Sequence, residues 1–290
     1  MRPAHIIEIV TPKKFILNGL WFGPTKPKRA IILVHGLTSS AFSMSGVVDA
    51  LVDTQTAVIT FNNRGFESVA SVKQRISKKD RKWHLAGSAH EVFTDCVDDL
   101  QGAINLVRKA GVKDIYLAGH STGCQKSIYW ASKTGGKGVE GIILLAPLSD
   151  YACEKSADKG GRMQKATALA RKLVKAKKPH ELLPRWASPI MALDAQRYLS
   201  LYTPKSAEEI FTYGQPGVRS KTYESVKLPM LVLLADKDQY AERPAEKMIE
   251  WFAQNTRSKY FRAGIIPTVE HNFRGGEERL AQLVRQWISA

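Results

Sequence analysis

The 290-residue sequence predicts an α/β protein with a mostly parallel central sheet, helices on both faces of that sheet and a helical insertion. Short apolar runs alternate with segments of helical periodicity, a pattern typical of strands buried on both faces. The alternation stops near residue 150 and resumes near residue 227, and the polar segment between has a mostly helical pattern. A composition of 44% hydrophobic and 24% charged residues excludes collagen, a coiled coil and wholesale disorder.

Each strand is predicted from an apolar run that ends at a turn signal. The run AIILV stops at His35-Gly36, and the run AVITF is closed by the turn NNRG. The predicted strands are 6–10, 15–22, 30–34, 57–61, 114–118, 141–146, 230–235 and 259–265, and the first two form a hairpin.

Helices are predicted where apolar residues recur at intervals of three or four. The longest spans about 88–109 and ends at Gly111. Its apolar face is formed by Phe93, Cys96, Val97, Leu100, Ile104 and Val107. The other predicted helices are 47–52, 124–132, 243–254 and a C-terminal helix that carries Leu280, Leu283, Val284, Trp287 and Ile288 on one face.

We expect one domain with an insertion, because the chain has no internal repeat and no long linker. Residues 1–149 and 227–290 would form the core. Residues 150–226 would form a helical cap above the sheet, since they lie between the fourth and fifth predicted parallel strands.

The strongest chemical signal is Gly119-His120-Ser121-Thr122-Gly123, which fits G-x-S-x-G. It lies directly after the strand DIYLA and opens a helix. A serine on a sharp strand-to-helix turn exposes its hydroxyl above the sheet, and the two glycines let neighbouring backbones pack closely. Ser121 is therefore the predicted nucleophile. The alternative, a serine that only caps the helix, does not explain both flanking glycines.

A serine hydroxyl needs a base, and the base needs an orienting acid. Two histidines follow Ser121 in the chain, His180 and His271. His180 lies in the basic insertion, where a surface position is expected. His271 lies in the loop after the last strand, from which it can reach the nucleophile at the carboxyl edge of the sheet. His271 is therefore the predicted base.

The acid is expected just after the strand MLVLLA, where Asp236 and Asp238 both occur. An early position in this turn tends to brace the loop, and the position two residues later can point across the sheet edge. Asp238 is the prediction, Asp236 is the alternative, and Asp150 after the preceding strand is a further one.

The oxyanion of a tetrahedral intermediate needs two donors. Thr122, directly after the nucleophile, supplies one backbone N–H at a helix N-terminus. The second is expected in the loop after the AIILV strand, where Gly36 allows a tight turn and the N–H of Leu37 is the predicted donor. His35 ends a buried strand and is expected to brace this loop.

The ordered set HGLTSS, GHSTG, ADKD and EHNF resembles the α/β-hydrolase superfamily and spans nearly the whole chain. The resemblance implies the α/β-hydrolase fold and a serine esterase with a Ser-Asp-His triad. The stretch GHSTGCQ is similar to siderophore-esterase-like hydrolases, and the chain also resembles feruloyl esterases. Two positions depart from the superfamily pattern, because Ala235 and Glu270 stand where glycine is common. A serine nucleophile excludes the dehalogenases and epoxide hydrolases, which use aspartate there.

The sequence thus predicts a serine hydrolase that cleaves a carboxylic ester through an acyl-enzyme. No metal ion and no organic cofactor is expected. Two alternatives stay open at this point. The same triad could serve an acyltransferase or an amidase, and a protein of this fold could bind a ligand without catalysis.

The net charge of +16 suggests an anionic partner. Residues 73–82 carry a net charge of +5 and residues 155–178 carry +8, and both runs are expected on the nucleophile's side of the sheet. We expect a small-molecule ester substrate. Two explanations of the basic runs stay open, which are recruitment of an anionic substrate and, for the insertion, a solvated amphipathic helix. No nucleic-acid motif is present, so specific binding of nucleic acid is not expected.

Three cysteines are scattered without a C-x-x-C motif, which fits a reducing compartment and predicts a cytoplasmic protein. No apolar stretch approaches the roughly 20 residues that span a bilayer, and the N-terminus does not resemble a secretory signal. The sequence leaves the oligomeric state open.

Overall fold

A sheet of ten strands runs through the protein, which was analysed as a computed structural model that describes residues 2–290. The strands are β1 (Ala4–Val10), β2 (Phe15–Phe22), β3 (Arg29–Val34), β4 (Thr56–Phe61), β5 (Ala70–Arg75), β6 (Arg81–Ala86), β7 (Asp114–His120), β8 (Gly141–Leu145), β9 (Met230–Ala235) and β10 (Phe261–Ile266). The helices are α1 (Ser45–Leu51), α2 (Cys96–Lys109), α3 (Thr122–Thr134), α4 (Asp150–Ala157), α5 (Arg162–Lys175), α6 (Ala195–Tyr202), α7 (Lys221–Glu224), α8 (Ala245–Asn255) and α9 (Glu277–Ile288).

The order of the strands puts β7 near the middle of the sheet. The sheet runs β10-β9-β8-β7-β3-β4-β2-β5-β6, and β1 pairs with β2. The six strands from β10 to β4 are parallel, and the strands beyond β4 are antiparallel to their neighbours. The carboxyl ends of β3, β7, β8, β9 and β10 therefore meet at one edge, which is where ligands bind in open α/β sheets.

Both faces of the sheet are covered, which explains the continuous apolar runs in the sequence. Ile32, Ile59 and Leu117 belong to a cluster that includes residues of α2, α3 and α8. Alternate residues of the same strands, such as Ile31 and Val58, pack on the other face with α1 and α9. The predicted fold class is confirmed. None of the helices in residues 2–290 is long and apolar enough to cross a membrane.

One local element was missed and one local prediction was wrong. The β5–β6 hairpin was not predicted, because it lies at the sheet edge and buries few side chains, chiefly Val72 and Ala86. The long helix begins at Cys96, after a short 3₁₀ turn, rather than near residue 88. Residues 88–92 instead run as a loop, because tertiary backbone bonds hold it: Ala89 N–H donates to Ser68, and the Ala89 carbonyl accepts from Asp194.

The segment between β8 and β9, residues 150–226, is called the insert below. It contains α4 to α7. Ala166 and Ala170 of α5 pack with Tyr198 and Leu201 of α6 in a small apolar cluster. Farther along the insert, Phe211 packs into the main core. Its ring centroid lies 5.1 Å from that of Phe252 in α8. The helices α4 to α7 thus cover 34 of the 77 residues of the insert, fewer than the mostly helical pattern of the sequence predicted, and the last part of the insert is attached to the core.

Candidate active site

Ser121 occupies a strained turn between β7 and α3. Its φ of 54° and ψ of −126° lie in a region that side chains with a Cβ rarely adopt. The Ser121 N–H donates to Leu145 O at 3.0 Å, and its carbonyl accepts from Cys124 N at 2.8 Å. These two hydrogen bonds fix the backbone of the turn and do not involve the Ser121 side chain. Within residues 2–290, Ser121 Oγ makes no hydrogen bond of its own.

The glycines of the G-x-S-x-G motif are required by close backbone contact. A Cβ at Gly119 would overlap the carbonyl of Gly123 across the turn. A Cβ at Gly123 would overlap the carbonyl oxygen of Val34 at the end of β3. Both positions therefore need glycine, and the packing of β3 against the first turn of α3 depends on them.

His271 lies in the loop between β10 and α9, and its side chain contacts Asp238. The Nδ1 of His271 is 2.7 Å from Oδ2 of Asp238, and the two side chains are only 6% and 5% exposed. Because a carboxylate accepts, Nδ1 donates, which leaves Nε2 as the acceptor of a neutral imidazole. The backbone N–H of Tyr240 donates to Asp238 Oδ1 at 3.0 Å, and Gln239 Oε1 accepts from the His271 N–H at 3.2 Å.

The other two candidate acids have different partners. Asp236 is exposed and accepts from the backbone N–H of Thr268 at 3.4 Å. Asp150 accepts from Gln125 Nε2 at 2.9 Å, and burial raises its pKa to about 7. The structure thus brings Asp238, and neither Asp236 nor Asp150, into contact with His271.

His120 links β7, the strand before Ser121, to the loop that carries His271, and the sequence did not predict this role. Its Nε2 donates to the backbone carbonyl of His271 at 3.0 Å, and the two rings lie 4.8 Å apart. Burial lowers the pKa of His120 to about 4, so the ring is neutral near pH 7. The signal was available, since His120 directly precedes Ser121 at the end of a buried strand.

The loop after β3 passes directly over the serine. A Cβ at Gly36 would lie 2.8 Å from Ser121 Cβ and 3.4 Å from Ser121 Oγ. The backbone N–H of Leu37 donates no hydrogen bond within residues 2–290. Thr122 is the first residue of α3, so its N–H has no acceptor inside the helix. Among the residues that the structure describes, both predicted oxyanion donors are therefore free of intramolecular acceptors.

His35 is buried beneath this loop, and its Nδ1 donates to Gly36 O at 2.9 Å. Burial, reinforced by the charge of Lys126, lowers the pKa of His35 to about 3. The neutral ring therefore supports the loop from below. His180 lies in the insert beside Asp194, with its Nδ1 2.8 Å from Asp194 Oδ2.

A family model described as "Protein of unknown function (DUF1749)" matches residues 87–290, more than half of the chain. The chain belongs to this family. The matched region of this DUF1749 protein includes Ser121, Asp238 and His271 and omits the loop that carries Leu37. No curated protein matches the sequence.

Solved structures show the fold of this DUF1749 protein. A siderophore hydrolase from Aspergillus fumigatus superposes with a TM-score of 0.71 at 17% identity, over 100% of this chain and 98% of the hydrolase. An esterase from Pyrococcus furiosus gives 0.62 at 17% identity, over 99% and 90% of the two chains. Est1E from Butyrivibrio proteoclasticus, solved with ferulic acid bound, gives 0.63 at 16% identity over 97% of each. The expected α/β-hydrolase fold is thus confirmed.

Replacing Gly123 with alanine tests the close contact between β3 and α3. Because the new Cβ would overlap the Val34 carbonyl, we expect the free energy of unfolding to fall by at least about 1–3 kcal/mol. Gly264→Ala is the matched control, since a Cβ there meets only ordinary contacts at 3.4 Å and beyond. Urea denaturation of both variants measures the difference, and equal stabilities would contradict this account of the motif.

The buried neutral His120 predicts a pH-dependent stability. Its pKa is lowered from 6.5 to about 4 on folding, so between these values the unfolded chain binds a proton that the folded chain does not. Folding stability from this group is therefore present above pH 6.5 and is lost as the pH falls toward 4. The stability of the wild type relative to His120→Gln should decrease by up to about 1.4 kcal/mol per pH unit in this range.

Urea denaturation of the wild type and His120→Gln at pH 7, 6, 5 and 4.5 measures that difference. Titrations of groups that do not interact with His120 are common to both proteins and cancel in the comparison. A difference that stays constant over this range would show that His120 is not held neutral by the fold.

Proposed function

We propose that the protein is a serine hydrolase that cleaves a carboxylic ester through an acyl-enzyme intermediate. The observation that carries the proposal is the Asp238–His271 pair beside the strained Ser121 turn. A buried carboxylate 2.7 Å from Nδ1 fixes the imidazole tautomer with Nε2 free to accept a proton. His120 ties the backbone of this histidine to the strand that ends at the serine.

The proposed reaction begins when Ser121 Oγ attacks the ester carbonyl carbon while His271 Nε2 takes the hydroxyl proton. Asp238 orients the ring and stabilises the imidazolium. The oxygen of the tetrahedral intermediate accepts hydrogen bonds from the N–H groups of Leu37 and Thr122. His271 then returns the proton to the leaving alcohol, and an acyl ester on Ser121 remains. Water then attacks the carbonyl carbon of this acyl ester while His271 Nε2 takes its proton. The proton returns to Ser121 Oγ as the bond to the acyl group breaks, which releases the carboxylic acid.

Support for the oxyanion donors comes from the backbone. Thr122 N–H lies at the N-terminus of α3, where the helix dipole favours negative charge. Gly36 brings the Leu37 peptide next to the serine, and Leu37 packs against the apolar cluster of α5 and α6. Because the insert touches the loop that would bind the oxyanion, we propose residues 150–226 as a cap that selects the substrate.

The test of the proposal is labelling by a fluorophosphonate probe together with hydrolysis of short p-nitrophenyl esters. Labelling should disappear in Ser121→Ala, and hydrolysis should fall by about 10,000-fold or more. Protein that is folded but never labelled, and that hydrolyses no ester, would instead support a ligand-binding protein. Comparing ester, amide and acyl-acceptor substrates separates an esterase from an amidase or acyltransferase with the same triad.

The identity of the acid has a matched test in the same loop. Asp238→Asn should lower kcat/KM by about 1000-fold or more, because an amide does not hold the productive imidazole tautomer. Asp236→Asn should change kcat/KM less than about threefold, since within residues 2–290 the Asp236 carboxylate accepts a hydrogen bond from the Thr268 backbone alone. Steady-state kinetics of both variants decides the assignment, and a larger loss in Asp236→Asn would reverse it.

We also propose that the basic insert attracts an anionic ester. Four basic residues of α5, Lys165, Arg171, Lys172 and Lys175, are exposed, while its Ala166 and Ala170 pack inward. The other basic run forms the β5–β6 hairpin, and four strand spacings separate β5 from β7. At about 4.8 Å each, these spacings total roughly 19 Å, beyond the Debye length of about 8 Å at physiological salt. The insert is therefore the better candidate for steering.

For an anionic ester, kcat/KM should fall roughly threefold to tenfold as salt screens the attraction, while a neutral ester of similar size should be little affected. Lys172→Gln/Lys175→Gln should flatten this salt dependence, and Lys78→Gln/Lys79→Gln at the hairpin tip is the matched control. Initial rates at 20–500 mM NaCl measure the effect. Equal salt dependence for the two esters would contradict the proposed attraction of an anionic ester.

The free thiols Cys96, Cys124 and Cys153 are compatible with a reducing compartment, so we retain a cytoplasmic location as part of the proposal.

A further inference from the structure

Two histidines and one aspartate converge where the insert meets the 87–92 loop. Asp194 Oδ2 lies 3.0 Å from His90 Nδ1 and 2.8 Å from His180 Nδ1. One ligand atom from each of the three side chains lies within 4.8 Å of the others. The sequence gives no sign of this cluster, because 104 residues separate His90 from Asp194 and 14 separate His180 from it.

The three atoms form a donor set that suits a transition metal. Two imidazole nitrogens and one carboxylate oxygen are ligands typical of zinc, whereas calcium and magnesium favour oxygen alone. Bonds of about 2.0–2.2 Å in a tetrahedral site put neighbouring ligand atoms about 3.3–3.6 Å apart, so the two distances from Asp194 to the histidines, 2.8 and 3.0 Å, would lengthen by about 0.3–0.8 Å.

The cluster reaches the protein surface at His180. The side chain of Asp194 is fully buried, whereas that of His180 is 54% exposed. An ion held by the three side chains would thus keep a solvent-facing fourth position for water, and its charge would be partly balanced by a carboxylate that is otherwise shielded from solvent.

The backbone around the cluster is already fixed without an ion. Asp194 N–H donates to Ala89 O at 2.8 Å, which joins the insert to the residue before His90. Asp194 Oδ1 caps α6 by accepting from Arg197 N–H at 2.7 Å, so Oδ2 alone faces the histidines. On the other side, Gln196 N–H donates to Pro179 O at 2.9 Å, beside His180. Such pre-positioned ligands lower the cost of binding.

We infer that His90, His180 and Asp194 bind a divalent transition-metal ion of the zinc class, which fastens the insert to the core. Each neutral imidazole would bind the ion through Nδ1 and carry its one proton on Nε2. The ion takes no part in the reaction at Ser121. It acts on stability, because it joins a core loop to two segments of the insert.

The test uses full-length protein that has been treated with a chelator and exchanged into metal-free buffer. Zn²⁺ should bind with 1:1 stoichiometry in a calorimetric titration and should raise Tm by a few degrees at saturation. His180→Gln should weaken binding by about tenfold or more, because it removes an exposed ligand without disturbing the core. His5→Gln, an exposed histidine in β1, is the matched control and should bind Zn²⁺ like the wild type.

Co²⁺ provides a second readout that does not depend on stability. Bound to the wild type, it should show the visible absorption of a four- or five-coordinate site, and this spectrum should be lost in His180→Gln and in Asp194→Asn. The inference is overturned if the wild type binds no Zn²⁺ at 1:1 stoichiometry, or if His180→Gln and His5→Gln bind it equally. Because the readouts are binding, Tm and absorption, the outcome is independent of whether Ser121 proves to be a nucleophile.

Discussion

The contact between Gly123 and the Val34 carbonyl is the constraint on which the site depends. It lets α3 begin directly against the end of β3, and the backbone of Ser121 must turn through a positive φ to enter that helix. The same approach sets the loop with Gly36 and Leu37 over the serine hydroxyl. One tight packing contact therefore positions Ser121, the Leu37 and Thr122 peptides proposed as oxyanion donors, and the first turn of α3, and within residues 2–290 the serine side chain adds no hydrogen bond to this arrangement.

A second set of contacts joins the same helix to the insert. Lys126, one turn after Ser121 in α3, is fully buried and pairs with Glu91 Oε1 at 2.6 Å. Glu91 Oε2 is 2.9 Å from Arg197 of α6, and Arg197 also pairs with buried Glu208. Removing one member would leave an uncompensated buried charge, which is strongly destabilising. The network gives the insert a fixed position relative to Ser121, because each of its links is satisfied only when α3, the 87–92 loop and α6 are all in place.

The sequence predicted the buried half of the fold well and its periphery poorly. Strands such as β3 and β7 are largely buried on both faces, so each can be predicted from a continuous apolar run in the sequence. The β5–β6 hairpin has one partly buried face at an edge, and its run of lysines and arginines conceals the alternation. The loop at 88–92 has helical periodicity, yet its backbone bonds to Ser68 and Asp194, and tertiary hydrogen bonds outweigh a weak local preference.

The site divides in the same way. The strand-to-turn context of Ser121 is local, so the sequence could identify it, whereas the choice between Asp236 and Asp238 depends on contacts across 33 residues to His271. At the end of β9, Asp236 is drawn to the Thr268 backbone in the adjacent loop. Two residues later the chain has turned, and the Tyr240 N–H holds Asp238 with its other oxygen toward the histidine. Asp236 and Asp238 thus have the same side chain but different surroundings, although they are only two residues apart. His120 illustrates the converse, since its sequence position was visible but its acceptor, a backbone carbonyl 151 residues away, has no side-chain signature at all.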